Sequence, residues 1–275
     1  KEGEDLTRHD KWLCMMYPRL RLLREFLRED GVIFVSIDDN ANHILKIIMG
    51  EIFRNSSFVA EVAWRHSDNS SNNVTQFSQD HNTILIYGKS QHWRPKFLND
   101  PEKRKHFKNP DNDPKGPWFD GNPVNNPALR PNLQYNLEGP NGDAIKHPPN
   151  GWRWSRETIE QKLATKELRF SEDGKRILRR TYLNEMEGLP PSTLWTEVKQ
   201  TGHTRSAKYD LRAIFGDGYS TDFFPTPKPR QVVQRVLELS TDADDLILDS
   251  FAGSGTTGHA VLDLNKQDGG NRKFI

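Results

Sequence analysis

The stretch Ile247-Leu-Asp-Ser-Phe-Ala-Gly-Ser-Gly-Thr-Thr257 constrains this chain more than any other. An apolar run ends in a carboxylate, a tight glycine turn follows at 251–255, and residues 256–265 read as a helix. Strand, glycine turn and helix in that order put a ligand loop at the carboxyl end of a strand in an open α/β sheet. Gly253 and Gly255 allow close backbone approach. The helix N-terminus offers free N–H groups to an anion. Gly253-x-Gly255-x-x-Gly258 also fits the dinucleotide fingerprint. The acidic residue that would complete it, about 20 positions on, falls at or beyond Ile275. A Rossmann-type nucleotide-dependent oxidoreductase therefore stays open at this point.

The rest of the patterning fits the same class. Leu13, Met16, Tyr17, Leu20, Leu23 and Leu27 recur at helical spacing over residues 10–28, with Asp10 as N-cap and Gly31 as stop. Arg19, Arg21, Arg24 and Arg28 lie off that stripe and are expected in solvent. The apolar run at 32–37 predicts a strand buried on both faces. Asp38 or Asp39 then opens a helix through Ile44, Leu45, Ile48 and Ile52, and strands follow at 58–64 and 83–87. Near the other end, 223–229 leads into a helix carrying Val232, Val233, Val236, Leu237 and Leu239. Strands are predicted at 245–249 and 272–275. The expected fold is an α/β, Rossmann-like single open sheet. Strand 246–249 should be central, and strands 32–37 and 272–275 parallel to it.

Hydrophobic residues make up 34% of the chain, low for a compact globule, and the deficit is local. Pro, Asn, Asp and Gly dominate residues 91–150, where continuous elements are not expected. A short helix at 158–168 and a basic strand at 175–182 follow, and Trp152 and Trp154 read as the core of this module. The division expected is 1–91, 92–208 and 209–275. Residues 92–208 hold 21 Lys and Arg against 15 Asp and Glu, leaving 18 against 23 elsewhere. A basic middle between acidic flanks suggests a module that faces a polyanion, with a solvated polar insert as the alternative.

Cys14 is the single cysteine and sits on the first predicted helix, where it reads as core packing. Disulfide scaffolding and a zinc site on paired cysteines are excluded, and a reducing cytoplasm is the natural compartment. The nine histidines lack metal-binding spacings, so no metal is assigned. No run of about 18 apolar residues is present, so no membrane helix is expected. Lys1-Glu-Gly-Glu-Asp5 has no apolar leader and no initiator Met and reads as an internal start.

Several blocks together carry a family resemblance. The Asp249-x-Phe251-x-Gly253-x-Gly255-Thr-Thr257 string resembles the methionine-side loop of DNA N6-adenine and N4-cytosine methyltransferases. Thr226-Pro-Lys-Pro229 looks like the segment that completes their cofactor pocket. The stretch 30–39 looks like the fifth strand of their sheet, and 180–195 resembles the segment leading into the Pro-Lys-Pro element. Catalytic half, target-recognition insert and cofactor half follow one another here. That is the β arrangement, shared by modification subunits of type III restriction systems.

The resemblance implies an S-adenosylmethionine pocket lined by Asp249, Phe251, Ala252, Gly253, Ser254, Gly255 and Thr256. Thr226, Pro227 and Lys228 would close it from the other side. It also implies a catalytic Asp/Asn/Ser-Pro-Pro-aromatic tetrapeptide, whose acceptors take the hydrogens of the target amine while the aromatic stacks on a flipped base. The Pro-Pro pairs here are His147-Pro-Pro-Asn150 and Leu189-Pro-Pro-Ser192, and neither fits. The tetrapeptide is expected upstream of Lys1, and no catalytic residue is assigned. A packed Cys14 leaves no thiolate for cytosine C5 chemistry. Adenine N6 is favoured over cytosine N4 by the type III likeness alone. Double-stranded DNA is the implied partner, with a restriction subunit or a second copy beside it. Trp64, Arg65 and His66, opening the polar stretch 64–73, and the basic residues Lys175, Arg176, Arg179 and Arg180 are candidate DNA contacts. A non-catalytic DNA-binding fragment is a further alternative.

Overall fold

The computed structural model describes residues 8–68, 77–97, 104–121, 123–186, 188–216, 220 and 223–275. The expectations for residues 1–5 and 69–73 lie outside them. In chain order the elements are α1 (Arg8–Phe26), β1 (Val32–Ile37), α2 (Asp39–Phe53), β2 (Phe58–Arg65), β3 (His81–Gly88), β4 (Trp118–Asp120), β5 (Leu137–Glu138) and β6 (Ala144–Ile145). There follow α3 (Arg156–Ala164), β7 (Leu168–Phe170), β8 (Ile177–Tyr182), β9 (Leu194–Trp195), α4 (Val198–Thr201), α5 (Thr204–Phe215), α6 (Arg230–Ser240), β10 (Leu246–Ile247), α7 (Thr256–Asp268) and β11 (Lys273–Phe274). Two compact units result: Lys1–Leu98 with Pro190–Ile275, and Asn99–Leu189. Among the described residues no helix is long and apolar enough to cross a membrane.

In the first unit, alternation along β3 builds two cores at once. Leu85 and Tyr87 point to one face, where Met16 and Leu20 of α1 meet Leu45, Met49 and Phe53 of α2. Ile84 and Ile86 point to the other, where Val62, Trp64 and Trp195 pack on Val232 and Leu239 of α6. A third cluster joins Leu237 of α6 to Ala260, Val261 and Leu264 of α7. The helix stripes read from sequence are thus the buried ones. α1 begins at Arg8, which puts Asp10 inside its first turn rather than at its N-cap.

The sheet departs from expectation. β1, β3, β2 and β9 form one four-stranded sheet, and β10 and β11 form a separate pair. β10 is parallel to β11, as expected, but it is not a central strand. β1 pairs antiparallel with β3 and, among the described residues, has no strand on its other side, so its residues are half-buried rather than fully buried. An apolar run reports burial but not which strand it joins. Among the described residues β10 and β11 each keep one unpaired edge, and Leu246, Leu248, Phe274 and Ile275 beside it are exposed. Arg28, just before β1, pairs with Asp245, just before β10, at 3.3 Å. Cys14 is also a correction. It is exposed on α1, since Leu13 and Met16 take the inward positions.

The second unit ends at Leu189, earlier than the expected boundary at 208. The reason is pairing: β9 lies parallel to β2 through Ala63↔Leu194 and Trp64↔Trp195. Within this unit β4, β8 and β7 form an antiparallel sheet. One face covers a core of Trp152, Ile159, Leu168 and Ile177, with Trp154 packed against it, as expected. Ser155 caps α3 by accepting from the Thr158 N–H. A polar lock occupies other residues of the sheet. Arg180 lies 4.0 Å over the Trp118 ring and donates to Asp111 (2.6 Å) and Asp113 (2.8 Å). Tyr182 donates to the same Asp113, and Arg169 holds Asp120 while covering Trp118 at 5.4 Å.

Candidate functional site at the glycine loop

The loop is built by its own carboxylate. Asp249 accepts from the Phe251 N–H (3.1 Å) and from the Thr257 hydroxyl (2.5 Å), which closes the turn between β10 and α7. Asp249 therefore shapes the loop from within. Gly253 and Gly255 have φ of 55° and 75°, in the left-handed region that glycine adopts without penalty. A Cβ on Gly255 would meet nothing within 4 Å, so the space over the turn is open. No side chain caps the first turn of α7, which leaves its N–H groups and the positive end of the helix dipole for another acceptor.

The Thr-Pro-Lys-Pro segment is tied to that turn. The Thr256 hydroxyl donates to the Lys228 carbonyl (3.2 Å) and sits 3.1 Å from the Ser254 hydroxyl. Lys228 is open to solvent on one side, yet protein surrounds its ammonium on the others. Desolvation lowers its pKa, with Asp38 opposing the shift. Its ammonium lies 5.6 Å from the centre of the Trp64 ring and makes no ion pair among the described residues. Behind it, Gly202 has φ of 67° and a Cβ there would come within 2.6 Å of the Pro229 Cβ. Gly202→Ala is expected to lower stability by about 1–3 kcal/mol through backbone strain and overpacking. Urea unfolding of the purified chain checks this.

Lys228, Ser254, Gly255 and Thr256 line one cleft together with Asp210, Leu211 and Ile214 of α5, and Arg230 and His259 stand at its side. Arg230 is engaged by Asp263 and lies 3.4 Å from His259. The other expected pocket residues are placed differently. Pro227 is buried, while Thr226, Phe251, Ala252 and Gly253 are exposed and do not line this cleft. Sequence reading missed α5 because the boundary at 208 cut through it. A signal was present: apolar Ala207, Leu211 and Ile214 at helical spacing behind a reciprocal cap, in which His203 accepts from the Ser206 N–H and Ser206 from the His203 N–H.

The candidate DNA contacts fare unevenly. Trp64 is buried in the core behind β2 and cannot read a base. Arg65 donates to the carbonyl of Ser67 (3.0 Å) and so holds the next turn. His66 is half-buried, and burial first, then Lys228, lowers its pKa and favours the neutral ring. Arg180 is buried in its carboxylate lock, and Arg179 lies 5.6 Å over the Trp154 ring. Both were predicted from charge alone, which does not reveal which face of β8 is covered. Lys175 and Arg176, at the turn before β8, are exposed.

Comparison with known proteins covers the whole chain. The DNA methylase family model for N6 and N4 methyltransferases matches residues 1–275. The chain is 34% identical over 280 residues to the type III restriction-modification enzyme StyLTI Mod subunit of Salmonella typhimurium, covering 100% of this chain and 41% of that protein. It is 29% identical to the EcoPI Mod subunit of Escherichia phage P1, covering 97% of this chain and 45% of that one. It is 28% identical to the type II methyltransferase M.KpnI of Klebsiella pneumoniae, covering 97% and 66%. The chain thus spans less than half the length of the two Mod subunits. With a glycine loop, an uncapped helix and a Pro-Lys-Pro segment joined at one cleft, and a family match along its whole length, this chain belongs to the N6/N4 DNA methylase family.

Proposed function

We propose that the chain binds S-adenosylmethionine at the glycine loop and is part of an enzyme that methylates the exocyclic amine of a DNA base, adenine N6 in preference to cytosine N4. The observation that carries this reading is the uncapped α7 beside Lys228, whose backbone carbonyl is fastened to the first turn of that helix through Thr256 and whose ammonium makes no ion pair among the described residues. An anionic group fits between them, and Gly255 leaves the approach open. When bound, the cofactor supplies an electrophilic methyl group on a sulfonium. The chain's own residues then hold and orient: Asp249 fixes the turn, Thr256 fixes Lys228, and Lys228 with α7 takes the negative end. Trp64 backs the lysine from the core.

Residues 1–91 and 209–275 are proposed as the catalytic and cofactor halves and the unit Asn99–Leu189 as the core of the target-recognition insert. Double-stranded DNA is the proposed partner, together with a restriction subunit or a second copy. Preference for adenine rests on the type III likeness. Cys14 is exposed, so the argument against C5 chemistry no longer rests on its burial but on membership of an N6/N4 family. The reading is tested by thermal shift with S-adenosylhomocysteine against NAD. Stabilisation by NAD alone would return the loop to the dinucleotide class.

For DNA, the exposed Lys175 and Arg176 are the proposed phosphate contacts. The double variant Lys175→Glu, Arg176→Glu is expected to weaken binding of the whole chain to mixed-sequence duplex and to reduce the slope of log affinity against log salt by about 1–2. Filter binding across a salt series measures it. An unchanged slope would remove this turn from the interface.

A further inference from the structure

The cleft beside the glycine loop carries opposite charges on opposite walls. Lys228 and the N-terminal turn of α7 form the positive side. Asp210 of α5 forms the negative side, and one of its carboxylate oxygens is buried without a hydrogen-bond partner. The two charges share a cleft but do not pair, since no contact within 4.0 Å joins Asp210 to Lys228 or to any other cation among the described residues. Arg230, the nearest alternative on that side, is held by Asp263. The Asp210 side chain as a whole is half-buried in the cleft wall, so a carboxylate with no ion pair among the described residues is placed to accept from a cationic ligand there.

A zwitterion supplies both halves. We propose that Asp210 receives the α-ammonium of the cofactor's amino-acid end, while Lys228 and the first turn of α7 receive its α-carboxylate. This rests on the reading of the loop as an S-adenosylmethionine site and deepens it. It also gives the cleft a selectivity that the glycine pattern lacks. A dinucleotide would bring a pyrophosphate to the helix N-terminus, where Lys228 meets its charge but leaves the Asp210 carboxylate opposing it without a counter-charge. An amino acid brings one charge of each sign, and each meets its opposite. Leu211 and Ile214, on the same helix as Asp210, add apolar surface to the wall beside the carboxylate.

The test compares two probes on the whole chain by calorimetry: S-adenosylhomocysteine and its deamino analogue, which lacks only the α-ammonium. The wild-type chain is expected to bind the first more tightly. Asp210→Asn is expected to lose about 10- to 100-fold on S-adenosylhomocysteine, the range for one charged hydrogen bond, and to bind the deamino analogue as the wild type does. The ligand-free melting temperature provides a second readout. Neutralising a half-buried carboxylate that makes no ion pair among the described residues should leave it unchanged or raise it, whereas removal of a structural carboxylate would lower it. Equal weakening toward both probes, a lowered melting temperature, or no loss on S-adenosylhomocysteine would each overturn the proposal. If the wild type binds S-adenosylhomocysteine without preferring it to the analogue, the proposal alone fails. If the wild type binds neither probe, the cofactor reading itself fails and the proposal with it.

Discussion

Arg180→Ala is expected to destabilise the second unit by about 2–3 kcal/mol, below the 3–5 typical of a fully buried pair because the module is small and water stays near. The guanidinium bridges Asp111 and Asp113 and lies flat on Trp118, so alanine removes two ion pairs and the packing at once. Two carboxylates would be left facing each other without a counter-charge, and Tyr182 would keep its bond to Asp113 alone. Tryptophan fluorescence during urea unfolding reads the change, since Trp118 reports from inside the lock. Arg180→Lys should recover only part, because an ammonium cannot serve both carboxylates and stack on the ring. Acid should act in the same direction. The Trp118 indole N–H and then Arg180 depress Asp111, and the Lys115 backbone N–H, with Tyr182 and Arg180, depresses Asp113. A carboxylate depressed in the folded state contributes above its unfolded pKa near 4, and the contribution is lost as pH falls through the folded value. The difference between wild type and Arg180→Ala should therefore shrink in acid below about pH 4. A constant difference down to pH 2 would show that the lock is packing and not charge.

The second large effect is on turnover. The chain is expected to bind cofactor yet leave DNA unmethylated, with incorporation of labelled methyl groups at background. An exocyclic amine is a weak nucleophile because its lone pair is delocalised into the ring, and acceptors must take its hydrogens as the methyl arrives. Loss of a single preorganised group of this kind costs about 100- to 1000-fold. Here the whole Asp/Asn/Ser-Pro-Pro-aromatic set is missing from the sequence, since the Pro-Pro pairs at 148–149 and 190–191 have neither the acceptor nor the ring. Incorporation well above a no-protein control would mean that other residues accept the hydrogens. His66, with its neutral ring favoured, would then be the first to replace.

Much of this was legible in the sequence, and the limits have physical causes. The helices α1, α2 and α6 were readable because apolar residues recur every three or four positions, and most of those residues pack in the cores, while α7 was readable from the glycine turn before it. The glycine turn was readable because positive φ at 253 and 255 demands glycine. The strands were located, but not their neighbours. Val32–Ile37 looks like an interior parallel strand, yet among the described residues it is an edge strand paired antiparallel with β3. Charge misled most. Arg179 and Arg180 are adjacent in a basic run with Lys175 and Arg176, but a strand alternates faces, and both turn toward tryptophans while the turn residues stay in water. Asp210 was invisible because a single acidic residue on a helix carries no mark until the opposite wall of its cleft is known.

The short parallel pair β10–β11 has a consequence for handling the protein. Among the described residues each strand keeps an unpaired row of N–H and C=O groups, flanked by exposed Leu246, Leu248, Phe274 and Ile275. Such an edge is a template for any extended chain that meets it, including one from a neighbouring molecule during refolding. β10 holds no proline and no lysine, and its protection is its two-residue length, with Asp244 and Asp245 before it and Lys273 on β11. Pairing with an extended chain would take place beside the glycine loop, and a ligand that orders the loop would also act against it.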